Sequence, residues 1–66
     1  MKLKSNDERF WVGDTIASKI NKISYVIDSF PTDRYGTEYA VIRSIGRGSS
    51  VFVITEKELC ETFGLM

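Results

Sequence analysis

The sequence TEYAVIRSIGRGSSVFVITEKELCETFG, residues Thr37–Gly64, decides the fold of this chain. It contains two runs rich in Val, Ile, Tyr and Phe, Glu38–Ile45 and Ser50–Thr55, which flank Gly46-Arg47-Gly48. β-Branched and aromatic residues favour strands, and glycine supplies the positive φ that a turn between strands requires. The stretch therefore predicts an antiparallel hairpin with an irregular glycine turn. Both runs are apolar on both faces near their middles, which is typical of strands wrapped inside a small barrel.

The end of the same stretch has the signature of a capped helix. Thr55 and Glu58 have the spacing of a capping box, in which a threonine side chain accepts a hydrogen bond from the backbone three residues later. Ile54 and Leu59 have the spacing of a hydrophobic staple. Gly64 stands where many helices end on a glycine of positive φ. We predict a helix over residues 56–63 whose inward-facing side chains are Leu59, Cys60 and Phe63.

The N-terminal third allows two interpretations. Residues 10–17, FWVGDTIA, predict a first strand that curves at Gly13, because strand-forming residues lie on both sides of a Gly-Asp pair. A helix within residues 14–23 is the alternative, since Asp14 could cap a segment whose isoleucines recur at helical spacing. Residues 1–9 are polar and predict either a frayed tail or a short first turn.

Residues 24–30, SYVIDSF, predict a further strand. Strict alternation puts Tyr25 and Ile27 on one face of this strand. Val26 and Phe30 then lie on the other face. A chain this short needs most of its aromatic residues for packing, and the phenylalanines expected in the core are Phe10, Phe30, Phe52 and Phe63.

Composition limits the possible functions. The chain has 66 residues, nine basic and nine acidic side chains, and no histidine. We therefore expect one domain, residues 10–66, preceded by a polar tail, residues 1–9. The zero net charge argues against a protein that binds DNA mainly by neutralising phosphates.

The same inventory argues against metal, redox and catalytic chemistry. Cys60 is the single cysteine, so an internal disulfide cannot form, and a zinc site or a Cys-His nucleophile pair lacks its histidines. We expect no cofactor, no metal and no enzymatic activity. The apolar runs are far shorter than the roughly 20 residues that cross a bilayer, so we expect no membrane span and a cytoplasmic location.

Four segments together resemble a known group of folds: Phe10–Ile16, Tyr25–Ile27, Tyr39–Ile42, and Val51–Ile54 followed by Glu58-Leu59. They are similar to the SH3-like small barrels of the KOW and Tudor kind, in which a Val-Gly-Asp opening precedes a bent strand and the last strand often runs into a helical turn. The resemblance implies a mostly β, SH3-like barrel of about five strands with a short C-terminal helix.

The chain also resembles the short accessory proteins that bacteriophages make to redirect host machinery. This resemblance implies a non-catalytic protein–protein adaptor or inhibitor. The turn-rich loop Pro31–Gly36 is the expected docking surface, together with the hairpin tip, which we expect to lie next to it. Tyr and Arg dominate interface energetics, and the residues predicted to bind the partner are Arg34, Tyr35 and Arg47.

Three alternatives remain open at this stage. A nucleic-acid-binding patch would use Lys19, Lys22, Arg43 and Arg47, although the zero net charge favours a protein partner. An acidic docking surface would use Glu56, Glu58 and Glu61 of the helix. Homo-oligomerisation through an exposed strand edge would help so small a chain to reach adequate stability.

Overall fold

The computed structural model describes residues 3–46 and 48–65, which form a single five-stranded sheet and one helix. The elements in chain order are β1 (Thr15–Ser18), β2 (Ser24–Ser29), β3 (Tyr39–Ser44), β4 (Val51–Thr55), α1 (Glu56–Thr62) and β5 (Phe63–Leu65). The strand order is β4-β3-β2-β1-β5, and every neighbouring pair is antiparallel. The prediction of a mostly β fold is confirmed, and β4 and β5 are the two edges of the sheet.

The predicted hairpin is β3 and β4. Ala40 pairs with Ile54 and Ile42 pairs with Phe52, in an unbroken register. Gly46 and Gly48 have φ values of 113° and 65°, which side chains with a Cβ rarely adopt. The hairpin and its glycine turn are therefore confirmed.

The prediction that Phe30 lies on the opposite face of the strand from Tyr25 and Ile27 is wrong. The pairing of β2 with β3 shifts between Ile27 and Ser29, where the register passes from Ile27↔Ile42 to Ser29↔Val41. Such a bulge inserts one residue and reverses the alternation beyond it. Phe30 consequently joins Tyr25 and Ile27 in the core instead of facing away from them.

The first strand begins later than predicted. The Asp14 carboxylate accepts a hydrogen bond from the Trp11 N–H at 2.9 Å, and the Asp14 N–H donates to the Trp11 carbonyl at 3.0 Å. These two bonds close a tight turn, and Gly13 within it has a φ of 94°. Regular strand pairing therefore begins at Thr15, the first residue of β1, although the Gly13 N–H and the Asp14 carbonyl already bond to Ile27 of β2.

The alternative helix over residues 14–23 is wrong. A single turn follows β1, in which the Ser18 hydroxyl accepts hydrogen bonds from the N–H groups of Ile20 and Asn21. The Lys22 N–H donates to the Ser18 carbonyl at 3.0 Å, and Lys22 itself has a φ of 63°. A residue in this left-handed conformation ends a helical turn, so the isoleucine spacing does not continue as a helix.

Residues 3–9 form the turn that was one of the two alternatives for the N-terminal segment. Ser5 is 1% exposed, and its backbone N–H donates to the Phe10 carbonyl at 2.7 Å. The Val12 N–H donates to the Leu3 carbonyl at 2.8 Å, so the segment doubles back on itself. The turn is also fixed to α1, because the Glu56 carboxylate accepts a 2.6 Å hydrogen bond from the backbone of Asn6.

Helix α1 begins as predicted but ends differently. The Thr55 hydroxyl accepts a hydrogen bond from the Glu58 N–H at 3.1 Å, which confirms the cap. Thr62 is the last residue of the helix, and Phe63 follows it as the C-cap with an extended backbone and a φ of −119°. The predicted role of Gly64 as a positive-φ terminator is wrong, because Gly64 belongs to β5 and pairs with Ala17 of β1.

The core lies between one face of the sheet and α1. Its buried members are Phe10, Ile16, Tyr25, Ile27, Phe30, Ala40, Ile42, Leu59 and Phe63, with Ile54 and Cys60 packed against them. Three of the four phenylalanines predicted in the core are there. The inward orientation predicted for the helix is confirmed for Leu59 and Cys60, whereas Phe63 is buried as part of β5. Within the described part of the chain, no helix has the length and apolar character needed to cross a membrane.

Candidate functional site

One of the concave surfaces of the described residues is an apolar cleft between the sheet, the β1–β2 turn and α1. It has a volume of about 210 Å³. Apolar side chains form its floor and walls, and the residues concerned are Ile20, Tyr25, Ile42, Phe52, Ile54 and Phe63. Its polar lining residues are Ser18, Asn21, Glu58 and Thr62. Glu58 is thus the one charged residue that lines it.

Three aromatic rings line the cleft and contact one another. Tyr25 lies in the middle, with its ring centre 5.9 Å from that of Phe52 and 5.4 Å from that of Phe63. Both pairs are edge-to-face, at interplanar angles of 81° and 83°. This is the favoured geometry for aromatic pairs. Tyr25 and Phe63 are buried, so the cleft rests on the core.

Two exposed apolar residues lie at the rim of the cleft. Ile20 is 81% exposed at the tip of the β1–β2 turn, and Phe52 is 46% exposed on β4. The prediction that Phe52 is a core residue is therefore wrong, because β4 is an edge strand and nothing described covers the outer part of the ring. Isolated exposed apolar residues are common, but here two of them border one cleft.

Strand β4 is more exposed than its sequence predicts. Val51 and Val53 are 59% and 63% exposed, although β4 was expected to be wrapped inside a barrel. They lie on the face of the sheet away from the core, since their partners on β3 are Arg43 and Val41 and not the buried Ala40 and Ile42.

The predicted binding loop is exposed and well ordered by hydrogen bonds. The Asp33 carboxylate accepts from the N–H groups of Tyr35 and Thr37 at 2.8 and 2.9 Å, and from the Tyr39 hydroxyl at 3.1 Å. Partial desolvation raises the pKa of Asp33, but the hydrogen bonds from Thr37, Tyr35 and Tyr39 outweigh it and leave the pKa lowered. Tyr35 is 82% exposed, as predicted, and Arg34 lies 5.7 Å from the centre of its ring.

The expectation that this loop neighbours the hairpin tip is wrong. The loop Pro31–Gly36 precedes β3, whereas the tip follows β3. A strand advances about 3.3 Å per residue, so the length of β3 separates the two regions. Arg47, predicted to bind a protein or a nucleic acid, lies outside the described residues. Arg34 and Tyr35 therefore form a surface distinct from the tip.

The residues of the nucleic-acid alternative are only partly brought together. Lys19 and Lys22 share the β1–β2 turn, which lies at the same end of the sheet as the hairpin tip, because the Ile45 N–H donates to the Ser24 carbonyl. Arg43 lies on β3, with a guanidinium nitrogen 3.4 Å from a carboxylate oxygen of Asp28. Exposed ion pairs of this kind are weak, but this one reduces the positive field of the patch.

The acidic docking surface loses one of its three residues. Glu56 is 8% exposed, because it holds the N-terminal turn at Asn6 and its own N–H donates to the Glu38 carbonyl. Glu58 and Glu61 remain on the surface of α1. The prediction that all three glutamates form one continuous acidic surface is therefore wrong.

Cys60 is a half-buried packing residue. Its thiol donates to an Asp7 carboxylate oxygen at 3.0 Å. Burial raises the pKa of the Cys60 thiol, and the hydrogen bond to Asp7 raises it further. Reactive cysteines have a lowered pKa, so this thiol is poorly suited to nucleophilic chemistry. Residues 3–46 and 48–65 contain no group of three or more His, Cys, Asp and Glu side chains that could hold a metal ion.

Sequence reasoning missed the two rim residues of the cleft. Ile20 stands alone within the polar segment Ser18–Lys22, and an apolar residue isolated in a polar turn signals exposure. The exposure of Phe52 depends on strand order and leaves no local signal in the sequence. No family model, no curated protein and no solved structure matches the chain. The interpretation of the cleft therefore depends on its own geometry.

Proposed function

We propose that this protein is a non-catalytic binding module that takes an apolar side chain of a protein partner into the cleft between the sheet and α1. The supporting observation is the combination of an aromatic floor on the core with two exposed apolar residues, Ile20 and Phe52, at the rim. Buried anchors of this kind dominate the energy of protein interfaces. The module would act as an adaptor or inhibitor of the partner.

The size of the cleft favours a protein side chain over a small-molecule ligand. Binding sites for drug-sized ligands and cofactors usually have volumes of about 300–1,000 Å³, whereas this cleft has about 210 Å³. A space of that size accepts one or two apolar side chains.

The charge of the cleft favours a partner with a basic residue next to its apolar side chain. Glu58 is its one charged lining residue, and it is exposed at the edge of the apolar surface. A basic residue beside the apolar anchor of the partner would face this carboxylate. Rim charges of this kind mainly affect association rate and selectivity.

The proposal includes the finer architecture implied by the resemblance to SH3-like small barrels. Its support is that α1 joins the two edge strands, β4 and β5, and packs on the core face of the sheet. Nuclear Overhauser effects between β4 and β5 would establish a closed barrel, and their absence would leave an open sheet. The resemblance to phage accessory proteins stays a prediction about the biological role.

The binding proposal can be tested by capturing partners with an immobilised chain. Wild type, Ile20→Asp and Tyr35→Ala would be compared, each with and without nuclease treatment. Ile20 and Tyr35 form a matched pair, because they are 81% and 82% exposed and lie on different surfaces. We expect a protein partner to be retained by wild type and Tyr35→Ala and lost by Ile20→Asp, which would replace an apolar rim residue with a charge.

Two other results would redirect the proposal. If Tyr35→Ala loses the partner and Ile20→Asp keeps it, the binding surface is the loop Pro31–Gly36. If nuclease removes every captured protein, the nucleic-acid alternative with Lys19 and Lys22 is favoured. Circular dichroism of each variant would show that any loss is not caused by unfolding.

A further inference from the structure

The outer edge of β4 is a second feature of the molecule that is arranged for an interaction, and it borders the cleft, to which β4 contributes Phe52 and Ile54. β4 pairs with β3 along one side, and no other strand of the described residues pairs with its second side. A sheet edge exposes backbone N–H and C=O groups that can pair with another strand. The orientation of these groups follows from the hydrogen bonds at the two ends of the hairpin.

Those hydrogen bonds identify which residues of β4 point outwards. The Ser44 N–H donates to the Ser50 carbonyl at 2.9 Å, and the Glu56 N–H donates to the Glu38 carbonyl at 3.1 Å. In an antiparallel pair, residues bonded to the neighbouring strand alternate with residues that point away. Phe52 and Ile54 therefore bond to β3, and the backbone groups that point outwards belong to Val51, Val53 and Thr55.

This edge lacks the features that normally prevent strands from pairing. Natural edge strands are protected by charged residues, proline, a bulge or very short length. Residues 49–55, SSVFVIT, contain no charge and no proline. The register of β4 with β3 has no bulge, and β4 has five residues. The opposite edge, β5, has three residues.

We propose that β4 pairs antiparallel with β4 of a second copy of this chain, around a two-fold axis at Val53. This register overlaps the whole strand and puts each Val53 opposite its counterpart. Val51 then lies opposite Thr55 of the other copy, and Phe52 lies opposite Ile54. In this register the residues whose backbone groups point outwards in one copy lie opposite the corresponding residues of the other copy. They can therefore form the hydrogen-bonded pairs of an antiparallel ladder.

The occupant is a second copy because the edge is complementary to itself. No pair in this register brings two charges together, and aromatic and β-branched residues are favourable cross-strand partners. A two-fold contact also closes on itself and gives a dimer, not a fibre. The exposed side chains of Val51 and Val53 would form one continuous apolar strip across the axis.

The interface is small, so the dimer is weak. Specific interfaces bury about 800 Å² on each partner, and the accessible surface of this chain is 4515 Å² in total. One strand edge and its valines provide less than that typical area. We therefore expect the dimer to have a dissociation constant in the micromolar to millimolar range.

Sedimentation equilibrium over that concentration range tests the pairing. We expect a reversible monomer–dimer equilibrium for wild type. Val53→Pro removes an N–H group that is not bonded to β3, and proline is tolerated at such an edge position. We expect this variant to fold and to remain a monomer. Tyr35→Lys is the control, because it replaces an aromatic residue that is more exposed than Val53 but lies outside both β4 and the cleft, and it should dimerise like wild type.

The two-fold axis allows a sharper test. In Val53→Lys two ammonium groups would face each other, and in Val53→Glu two carboxylates would do so. Each variant should have a dissociation constant raised by roughly tenfold or more. An equimolar mixture of the two should recover dimers, because opposite charges then meet at the axis. These variants also serve if Val53→Pro does not fold.

Amide hydrogen exchange locates the contact. In dilute protein the outward N–H groups of Val51, Val53 and Thr55 should exchange quickly, and at high concentration they should become protected. A monomer at every concentration, a dimer that survives Val53→Lys, or unchanged exchange at these three amides would overturn the proposal. The substituted residue Val53 does not line the cleft and lies on the face of the sheet away from the core, so partner capture with Ile20→Asp tests the proposed function separately.

Discussion

Lys22 shows how a single backbone conformation overrides a sequence pattern. The spacing of isoleucines between residues 16 and 23 is compatible with a helix, but Lys22 adopts a φ of 63°. This conformation costs roughly 1 kcal/mol or more in a residue that has a Cβ, and glycine adopts it freely. The Ser18 hydroxyl compensates by accepting hydrogen bonds inside the turn.

We predict that Lys22→Gly raises the free energy of unfolding by up to about 1 kcal/mol, because it relieves the left-handed strain. Lys19→Gly is the matched control. It removes the same charge from the same turn, but Lys19 does not have a positive φ, so this change should lower stability by roughly 0.5–1 kcal/mol through the added freedom of the unfolded chain. Urea unfolding measures both. Equal effects of the two substitutions would contradict the backbone explanation.

At the scale of elements, local chemistry predicted the hairpin and the start of the helix. The strand-forming runs, the glycine turn and the Thr55 cap each depend on residues within a few positions of one another. Strand β5 was missed because its pairing with β1 joins residues more than 40 positions apart. The bulge in β2 and the exposure of β4 also depend on neighbouring strands. The sequence predicted Phe63 in the core, but it did not predict the cleft that Phe63 lines, for the same reason.

The end of α1 allows a test of whether local helix termination or pairing with a distant strand determines the conformation of Gly64. As a helix terminator with positive φ, Gly64 would not tolerate a side chain, but as a residue of β5 it should. A Cβ built at Gly64 would lie 3.7 Å from the Lys19 side chain, which is an ordinary contact. We predict that Gly64→Ala leaves stability unchanged or raises it by less than about 1 kcal/mol.

Leu59→Ala provides the comparison for the same helix. Leu59 is fully buried, so its truncation should cost about 2–5 kcal/mol by leaving a cavity. Thermal unfolding of both variants decides the matter. A loss of stability at Gly64 as large as that at Leu59 would mean that β5 does not form.

For the molecule as a whole, the N-terminal turn is part of the folded unit through contacts that no local pattern predicts. Asn6 bonds to Glu56, and Asp7 bonds to Cys60, across 50 and 53 positions of sequence. The Asp7 carboxylate also accepts a 2.6 Å hydrogen bond from the buried Ser5. A chain of 66 residues has a small core, so these polar contacts matter to its stability.

Because of the hydrogen bonds to Asp7, the stability of the fold depends on pH in the acidic range. Hydrogen bonds from Ser5 and then Cys60 lower the pKa of Asp7 from its ordinary value of 3.8 to about 2. Because the folded pKa lies below the unfolded pKa, the carboxylate stabilises the fold above pH 3.8, and this contribution is lost as the pH falls towards 2. The side chain of Asp7 is 42% exposed, so solvent screening limits the effect to less than about 1 kcal/mol.

We predict that Asp7→Asn melts at a lower temperature than wild type at neutral pH, and that the difference shrinks as the pH is lowered. Near pH 2 about half of the wild-type Asp7 carboxyl groups carry a proton, so the stabilisation by the carboxylate that the asparagine variant lacks is smaller. Melting curves measured by circular dichroism between neutral pH and pH 2 provide their own control, because the same two proteins are compared throughout. A difference in melting temperature that stays constant over this range would mean that the charge of Asp7 does not stabilise the N-terminal turn, and that the asparagine acts only through its altered hydrogen bonding.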